Sequence, residues 1–354
     1  MKMKMETKQL TIDDIDVPSN ENYTISAAVS KAERLILRYG TPMCSISGGS
    51  DSDIMLDMIH SVDHNGKVTY YFIDTGLEYQ VTKDHLEYLE KRYDIKIERI
   101  KAIKPIPTCV KAYGVPFISK QASEFIERLQ KNDFQWEDAP LEELLKKYPK
   151  CKSALQWWCN ERITKDGKQK ISRFSISRNK YLKEFLMSNS PEFRISAKCC
   201  DYAKKKAAKK ALSSHYADLN MIGVRKSEGG VRSIIYENCY TNKDYKEYEC
   251  SSFRPIFWFN DSDKREYEQI HNIVHSKCYT EYGLKRTGCV GCVGCPFNIH
   301  ITEELDIIQR FEPKLYKAAV AVFGKSYEYT RKYREFVKEM KAKESIDENQ
   351  LELN

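Results

Sequence analysis

Nowhere does this 354-residue chain offer the roughly 20 consecutive apolar residues of a membrane-spanning helix, so no membrane association is expected. Its opening, MKMKMETKQLTIDD, lacks an apolar central region and a small-residue cleavage site. No secretion signal is read, and a cytoplasmic location is expected. No internal repeat and no low-complexity linker marks a hard domain boundary. The Walker A pattern GxxxxGK(S/T) is absent, which argues against an ordinary kinase-type phosphate loop. Charge of one sign is not in large excess: a formal net charge of +7 favours anionic partners without naming one.

Cysteine, by contrast, is abundant. Twelve occur in a chain whose 41% hydrophobic and 31% charged content reads as a soluble globular protein. A chain this long can build a core without disulfide staples, so reduced thiols acting as metal ligands or nucleophiles are expected.

Hydrophobic periodicity organises the first hundred residues. Residues 19–40 carry Ile25, Ala28, Val29, Ala32, Leu35 and Leu37 at helical spacing before Gly40. Met43 to Ser47 reads as a short buried strand, and Asp51 to about His60 as a helix with an acidic first turn. Residues 68–73 and 95–100 read as strands, with a helix between them through Leu86, Leu89 and Tyr93. This rhythm predicts an α/β fold with a doubly wound, mainly parallel sheet. It returns near Leu219 to Val224, and another helix is expected from about Asp263 to Ser276. Segments 1–102 and 196–300 are assigned to the two halves of the core. Segment 103–195 is an insertion of mixed helical pieces, and 301–354 holds helices and a charged tail, frayed or disordered from about Lys341.

Ser47-Gly48-Gly49-Ser50-Asp51-Ser52 sits where a strand turns into a helix. Glycines let the backbone approach an anion, the helix N-terminus offers N–H groups and partial positive charge, and Ser47 and Ser52 add hydroxyls. Asp51 would repel phosphate, so holding Mg²⁺ or ordering the loop is its expected task. In this context the segment resembles the PP-loop ATP pyrophosphatases (the adenine nucleotide alpha hydrolase-like fold), in the branch related to PAPS reductase. Asp74-Thr75-Gly76-Leu77-Glu78 looks like that family's DTGxE segment. Gly223 to Glu228 with Arg232 looks like its G-(I/V)-R-x-x-E-S-x-x-R segment, with Ser227 and Glu228 transposed. Pro255-Ile256 with Trp258 and Ser262-Asp263 resembles its P-(L/I)-x-x-W-T-x-x-D-V segment more loosely. The resemblance implies that Ser47, Gly48, Gly49, Ser50, Asp51 and Ser52 bind ATP pyrophosphate and Mg²⁺. It implies that Asp74, Thr75, Gly76 and Glu78 shape the nucleotide pocket, and that Asp51, Arg225 and Arg232 are the catalytic set, the arginines holding acceptor or α-phosphate.

Cys289-Val-Gly-Cys292-Val-Gly-Cys295-Pro296 has the close spacing of an iron–sulfur ligand loop, and Cys199-Cys200 lies upstream. Together they resemble the Cys-Cys…Cys-x-x-Cys arrangement by which adenylylsulfate reductases hold a 4Fe–4S cluster. Here five cysteines are available for four positions, and a structural Zn²⁺ site is the alternative. Cys159, beside Trp157-Trp158, is a candidate sulfur carrier.

Two reactions compete. A sulfonucleotide reductase would attack APS or PAPS; such enzymes have an eroded phosphate loop and a late cysteine nucleophile. Here the loop is intact and no cysteine follows Cys295. The pattern instead resembles the ATP-using subunits of DNA phosphorothioation systems. It implies adenylation of a nucleic acid (a DNA backbone phosphate or a tRNA base), release of pyrophosphate and AMP, and sulfur from a donor protein such as a cysteine desulfurase. A third reading is a non-catalytic nucleotide-binding regulator beside a ParB-like partner. Lys204-Lys205-Lys206 with Lys209-Lys210, and Lys146-Lys147 with Lys150 and Lys152 near Trp157 and Trp158, are candidate strand-binding surfaces, with the tryptophans stacking on bases.

Overall fold

The computed structural model describes residues 22–163, 166–170, 175–229, 235–245, 250–284, 292–298 and 300–351. Arg232 and Cys289 lie outside the described residues. The chain divides into two compact units. One is drawn from residues up to 71, 89–98 and 212–275, the other from 72–88, 99–211 and 276 onward.

The expected α/β rhythm is present. Asn22 caps α1 (Tyr23–Arg38), its side chain accepting from the backbone N–H groups of Thr24 and Ile25. There follow β1 (Pro42–Ile46), α2 (Ser50–Val62), β2 (Thr69–Asp74), α3 (Gln80–Tyr93) and β3 (Ile97–Lys101). Later come β4 (Leu219–Ile222), β5 (Tyr240–Tyr245) and β6 (Cys250–Phe253), the last two unannounced by the sequence pattern. The six strands lie in the order β3-β2-β1-β4-β6-β5. β1 runs parallel to β4, from Pro42 opposite Leu219 to Ser45 opposite Ile222, and β4 runs parallel to β6. β5 closes the edge antiparallel. The winding goes outward from β1 to β3 on one side and resumes at β4 on the other. A doubly wound sheet binds ligands at such a switch point, beyond the carboxyl ends of the strands.

In the first unit α2 is buried from Ser52 to Ile59, and Ile54 and Met58 pack with Ile256, Phe259 and Tyr267. The helix expected from Asp263 to Ser276 runs instead over Asp261–Ile270. Asn260 and Asp263 form a reciprocal capping box at its start, and Asn272, at φ 49°, takes the left-handed conformation just beyond its end.

In the second unit, the described residues of segment 103–195 include the helices Ile106–Tyr113, Lys120–Gln130, Leu141–Lys147, Lys152–Trp158 and Leu182–Ser188. Their core corrects one expectation. Trp157 and Trp158 are 1% and 0% exposed, Trp157 stacks on Phe125 at 5.3 Å, and Trp158 Nε1 donates to the Glu137 carbonyl at 2.9 Å. They are core aromatics and cannot stack on bases. Cys159 is half-buried and burial pushes its thiol up, the opposite of an activated sulfur carrier. The charged tail is also more ordered than expected, since the last helix, Pro313–Leu351, continues through Lys341. Glu339 precedes Lys343 by four residues, a spacing that supports a helix.

Removing the indole of Trp158 empties a closed aromatic cluster. Trp158→Ala is expected to cost about 3–5 kcal/mol by urea unfolding; a loss within experimental error would contradict its place in the core.

Candidate functional site

β1 ends at Ile46 and α2 begins at Ser50, so Ser47, Gly48 and Gly49 form the whole connection. Gly48 has φ 68°, a conformation that costs other residues about 1–2 kcal/mol. Ser52 Oγ accepts from the Ser47 N–H at 2.9 Å, and Ser47 Oγ accepts from the Gly49 N–H at 3.3 Å, so both hydroxyls shape the loop. Just past β4, Gly223 presses on the same segment: a Cβ there would lie 3.1 Å from the Asp51 carbonyl oxygen and 3.3 Å from Ser52 Cα. The N-terminus of α2 is thereby set beyond the end of β1, where its dipole favours an anion.

Asp51 does not meet that anion as a bare charge. Arg225 Nε donates to its two oxygens at 3.1 and 3.0 Å, and Lys264 Nζ donates to Oδ1 at 2.8 Å. Burial works against the carboxylate, yet Lys264 and Arg225 outweigh it and hold the carboxyl below its usual range. Arg225 also reaches Ser227 Oγ at 3.0 Å and Asp261 at 2.8 Å, and Lys264 reaches Ser50 Oγ at 2.6 Å. Of the two tasks expected of Asp51, this arrangement performs the second, ordering the loop. Both oxygens face cations, an environment that does not suit a Mg²⁺ ligand.

α2 carries two further buried carboxylates, Asp53 and Asp57. His275 lies between carboxylates, with Nδ1 2.9 Å from Asp53 and Nε2 2.8 Å from Glu268. Burial disfavours its charge, but the hydrogen bonds to Asp53 and Glu268 prevail and raise the imidazole to about 9. Asp57 accepts from Tyr93 at 2.9 Å and Tyr267 at 2.8 Å, and lies 2.9 Å from His271 Nδ1. These bonds pin α2 behind the loop.

The second unit holds the other sequence candidates. Glu78 turns inward and accepts from the backbone N–H groups of Thr75 at 2.8 Å, Gly76 at 3.1 Å and Leu77 at 3.0 Å, and from the Thr75 hydroxyl. Asp74 accepts from the Gly76 N–H at 2.9 Å. Burial pushes Glu78 up to about 7. Its carboxyl therefore builds the turn from inside.

Cys199 and Cys200 close the short helix Lys198–Cys200, which continues into a π-helical turn, Asp201–Lys205, a local geometry frequent at functional sites. Both cysteines share one apolar cluster with Cys109, Cys292 and Cys295. The hydrogen bond from Cys199, with Lys120 and Lys204 nearby, brings Cys200 down to about 7 against its burial. Likewise Cys295 lowers Cys292, helped by Lys204, while Cys199 and Cys295 are pushed up as donors. Among the described residues, no three His, Cys, Asp or Glu side chains converge as a ready metal site. Four soft thiols in an apolar setting beside lysines are nonetheless a donor set that suits an iron–sulfur cluster.

Residues 41–156 match the phosphoadenosine phosphosulfate reductase domain family. The uncharacterized protein MJ0066 of Methanocaldococcus jannaschii is 29% identical over 281 residues, covering 78% of this chain and 40% of that one. The chain thus spans about 40% of that relative's length. Phosphoadenylyl-sulfate reductase from Candida auris superposes with a TM-score of 0.37 at 13% identity, covering 78% of this chain and 94% of that one. The U34-tRNA thiolase NcsA from Methanococcus maripaludis, solved with its 4Fe–4S cluster, gives 0.34 at 10% identity, covering 90% and 82%. At these scores neither likeness carries an argument about the reaction.

The sequence reading reached the loop and Arg225 but missed Lys264, His275, Asp53 and Glu268. Lys264 had left a trace: a cation one residue past a capping box opposes the helix dipole and calls for a local partner. His275 is expected to titrate near pH 9 by NMR. Because that value lies above the ordinary 6.5, its contribution to stability is complete below about pH 6.5 and is lost as pH rises through about 9. His275→Gln should remove that part of the pH–stability curve; titration near 6.5 would show that the bridge does not form. Gly223→Ala should displace the loop backbone and cost about 1–3 kcal/mol by urea unfolding; full stability would contradict the close approach.

Proposed function

We propose that this protein is a PP-loop ATP pyrophosphatase that adenylates a nucleic-acid acceptor for sulfur incorporation. An acceptor oxygen attacks the α-phosphorus of ATP and pyrophosphate leaves; a sulfur nucleophile then displaces AMP. The observation that carries this reading is the intact Ser47–Ser52 loop at the switch point, with Arg225 and Lys264 held against it by Asp51.

In this account the loop N–H groups and the hydroxyls of Ser47, Ser50 and Ser52 receive the β,γ-phosphates. An incoming polyphosphate competes with Asp51 for Lys264 and Arg225. As the bond to the α-phosphorus breaks, negative charge grows on the leaving pyrophosphate, where preorganised cations and N–H groups are worth most. Arg232 remains a proposed acceptor ligand. The exposed lysines of the basic helix support an anionic acceptor: Lys205, Lys206, Lys209 and Lys210 face outward while Ala203, Ala207 and Ala211 are buried.

Cys199, Cys200, Cys292 and Cys295 would hold an iron–sulfur cluster, with Cys289 as the further candidate. When bound, such a cluster supplies iron that can carry or order the incoming sulfur. The lysines near Cys200 and Cys292 favour the thiolate form that binding requires. Zinc in place of iron and sulfide in anaerobically purified protein would replace that assignment with a structural site.

Two variants test the loop. Asp51→Ala is expected to abolish conversion of ATP to AMP while leaving cluster absorbance unchanged. Lys264→Met is expected to slow AMP formation by about 10²-fold or more, the scale for losing one preorganised stabilising group. Wild-type turnover in both would refute the site.

A further inference from the structure

With Trp157 and Trp158 committed to the core, the basic helix needs a different aromatic partner if bases are to be held. Tyr113 and Tyr202 provide one. Their rings stack at 5.2 Å with an interplanar angle of 18°, and both are partly exposed. Lys104 Nζ lies 4.7 Å from the Tyr113 ring centre and 5.5 Å from that of Tyr202, and donates to Tyr113 Oη at 3.1 Å. Lys198 sits 4.8 Å from the centre of Tyr113, and Lys206 3.9 Å from that of Tyr202.

Charge balance sets this patch apart from an ordinary solvated face. Lys198 is paired with Glu127 at 3.1 Å. Among the described residues, Lys104, Lys204 and Lys206 have no carboxylate within 4.0 Å. Glu127 and Asp201 neutralise Lys198, Lys120 and Lys205 around the rings, and the three lysines left without a carboxylate lower their cost by taking an anionic partner. Tyr113 and Tyr202 also pack against the apolar cluster that holds Cys199, Cys200, Cys292 and Cys295, so a ligand lying on them lies beside the thiols.

We propose that Tyr113, Tyr202 and the surrounding lysines are the seat of a single-stranded nucleic acid, the acceptor of the reaction proposed above, on which its role as acceptor rests. Planar faces beside unpaired ammonium groups match a polymer that alternates bases with phosphates. An acidic protein offers the charges without the planes, and a duplex keeps its bases inside. The ring–ring and cation–ring contacts already present are each weak enough to be exchanged for base stacking and phosphate pairing.

The test is fluorescence anisotropy of a labelled single strand of about ten nucleotides, titrated with anaerobically purified full-length protein at several salt concentrations. Lys104→Gln with Lys206→Gln should lower the slope of log affinity against log salt by about 1.4, at about 0.7 per phosphate contact. Tyr202→Leu should weaken binding about tenfold or more, whereas Tyr202→Phe keeps it. Lys146→Gln with Lys150→Gln, on the other basic run, should leave binding unchanged. An unaltered slope, equal losses in that control, or tighter binding of a duplex would overturn the proposal. AMP formation measured on the same samples separates the two readings. Strand binding that responds as expected without AMP formation refutes the reaction and keeps the seat; AMP formation with an unaltered slope refutes the seat.

Discussion

The ion cluster of Asp51, Arg225 and Lys264 is the constraint on which the first unit's site depends. A loop that receives polyphosphate needs positive charge close by, yet several buried cations beside a helix N-terminus repel one another when the ligand is absent. Asp51 resolves this by accepting from Arg225 and Lys264 at 2.8–3.1 Å. It places each cation within reach of the loop and keeps it desolvated but paired. Under the proposed function, an incoming polyphosphate would take over these partners, exchanging one set of charge-assisted bonds for another. Gly223 and the buried carboxylates of α2 then serve a single end. They fix the helix whose N-terminus carries the charge.

In the second unit the same problem appears with thiols. Of the five cysteines in one apolar cluster, four form two hydrogen-bonded pairs, each with one sulfur eased toward the thiolate and one pushed away from it. Lys120 and Lys204 supply the compensating charge. This cationic surrounding acts on Cys200 and Cys292, the two sulfurs eased toward the thiolate, in contrast to Cys44, which is fully buried and whose thiol is pushed up by burial alone.

The parts of this organisation that follow local rules could be read in the sequence. Strand–helix alternation announced β1 to β3 and β4: β1, β2 and β4 are mostly buried, largely apolar runs, as inner parallel strands are, and the edge strand β3 was legible by its alternation. The loop was legible because the whole Ser47-Gly48-Gly49-Ser50-Asp51-Ser52 segment stands where a strand turns into a helix, whereas a lone Gly-Gly would read as a plain turn. β5 was not, since an edge strand written Tyr-Thr-Asn-Lys-Asp-Tyr lacks an apolar run. Nor were Lys264 and His275, whose roles rest on partners far away in the chain: Lys264 meets Asp51 across 213 residues and His275 meets Asp53 across 222. The tryptophans were misplaced for a related reason. A Trp pair beside lysines looks like a stacking platform until the helices that cover it are known. In the tail, good helix-forming residues outweighed the charge that had suggested disorder.

The proposed function requires the loop to direct cleavage between the α- and β-phosphates. Its most direct measurement is ³¹P NMR of the products formed from ATP by anaerobically purified protein in the presence of single-stranded nucleic acid. The account predicts AMP and pyrophosphate in equal amounts. ADP and inorganic phosphate as the products would contradict it.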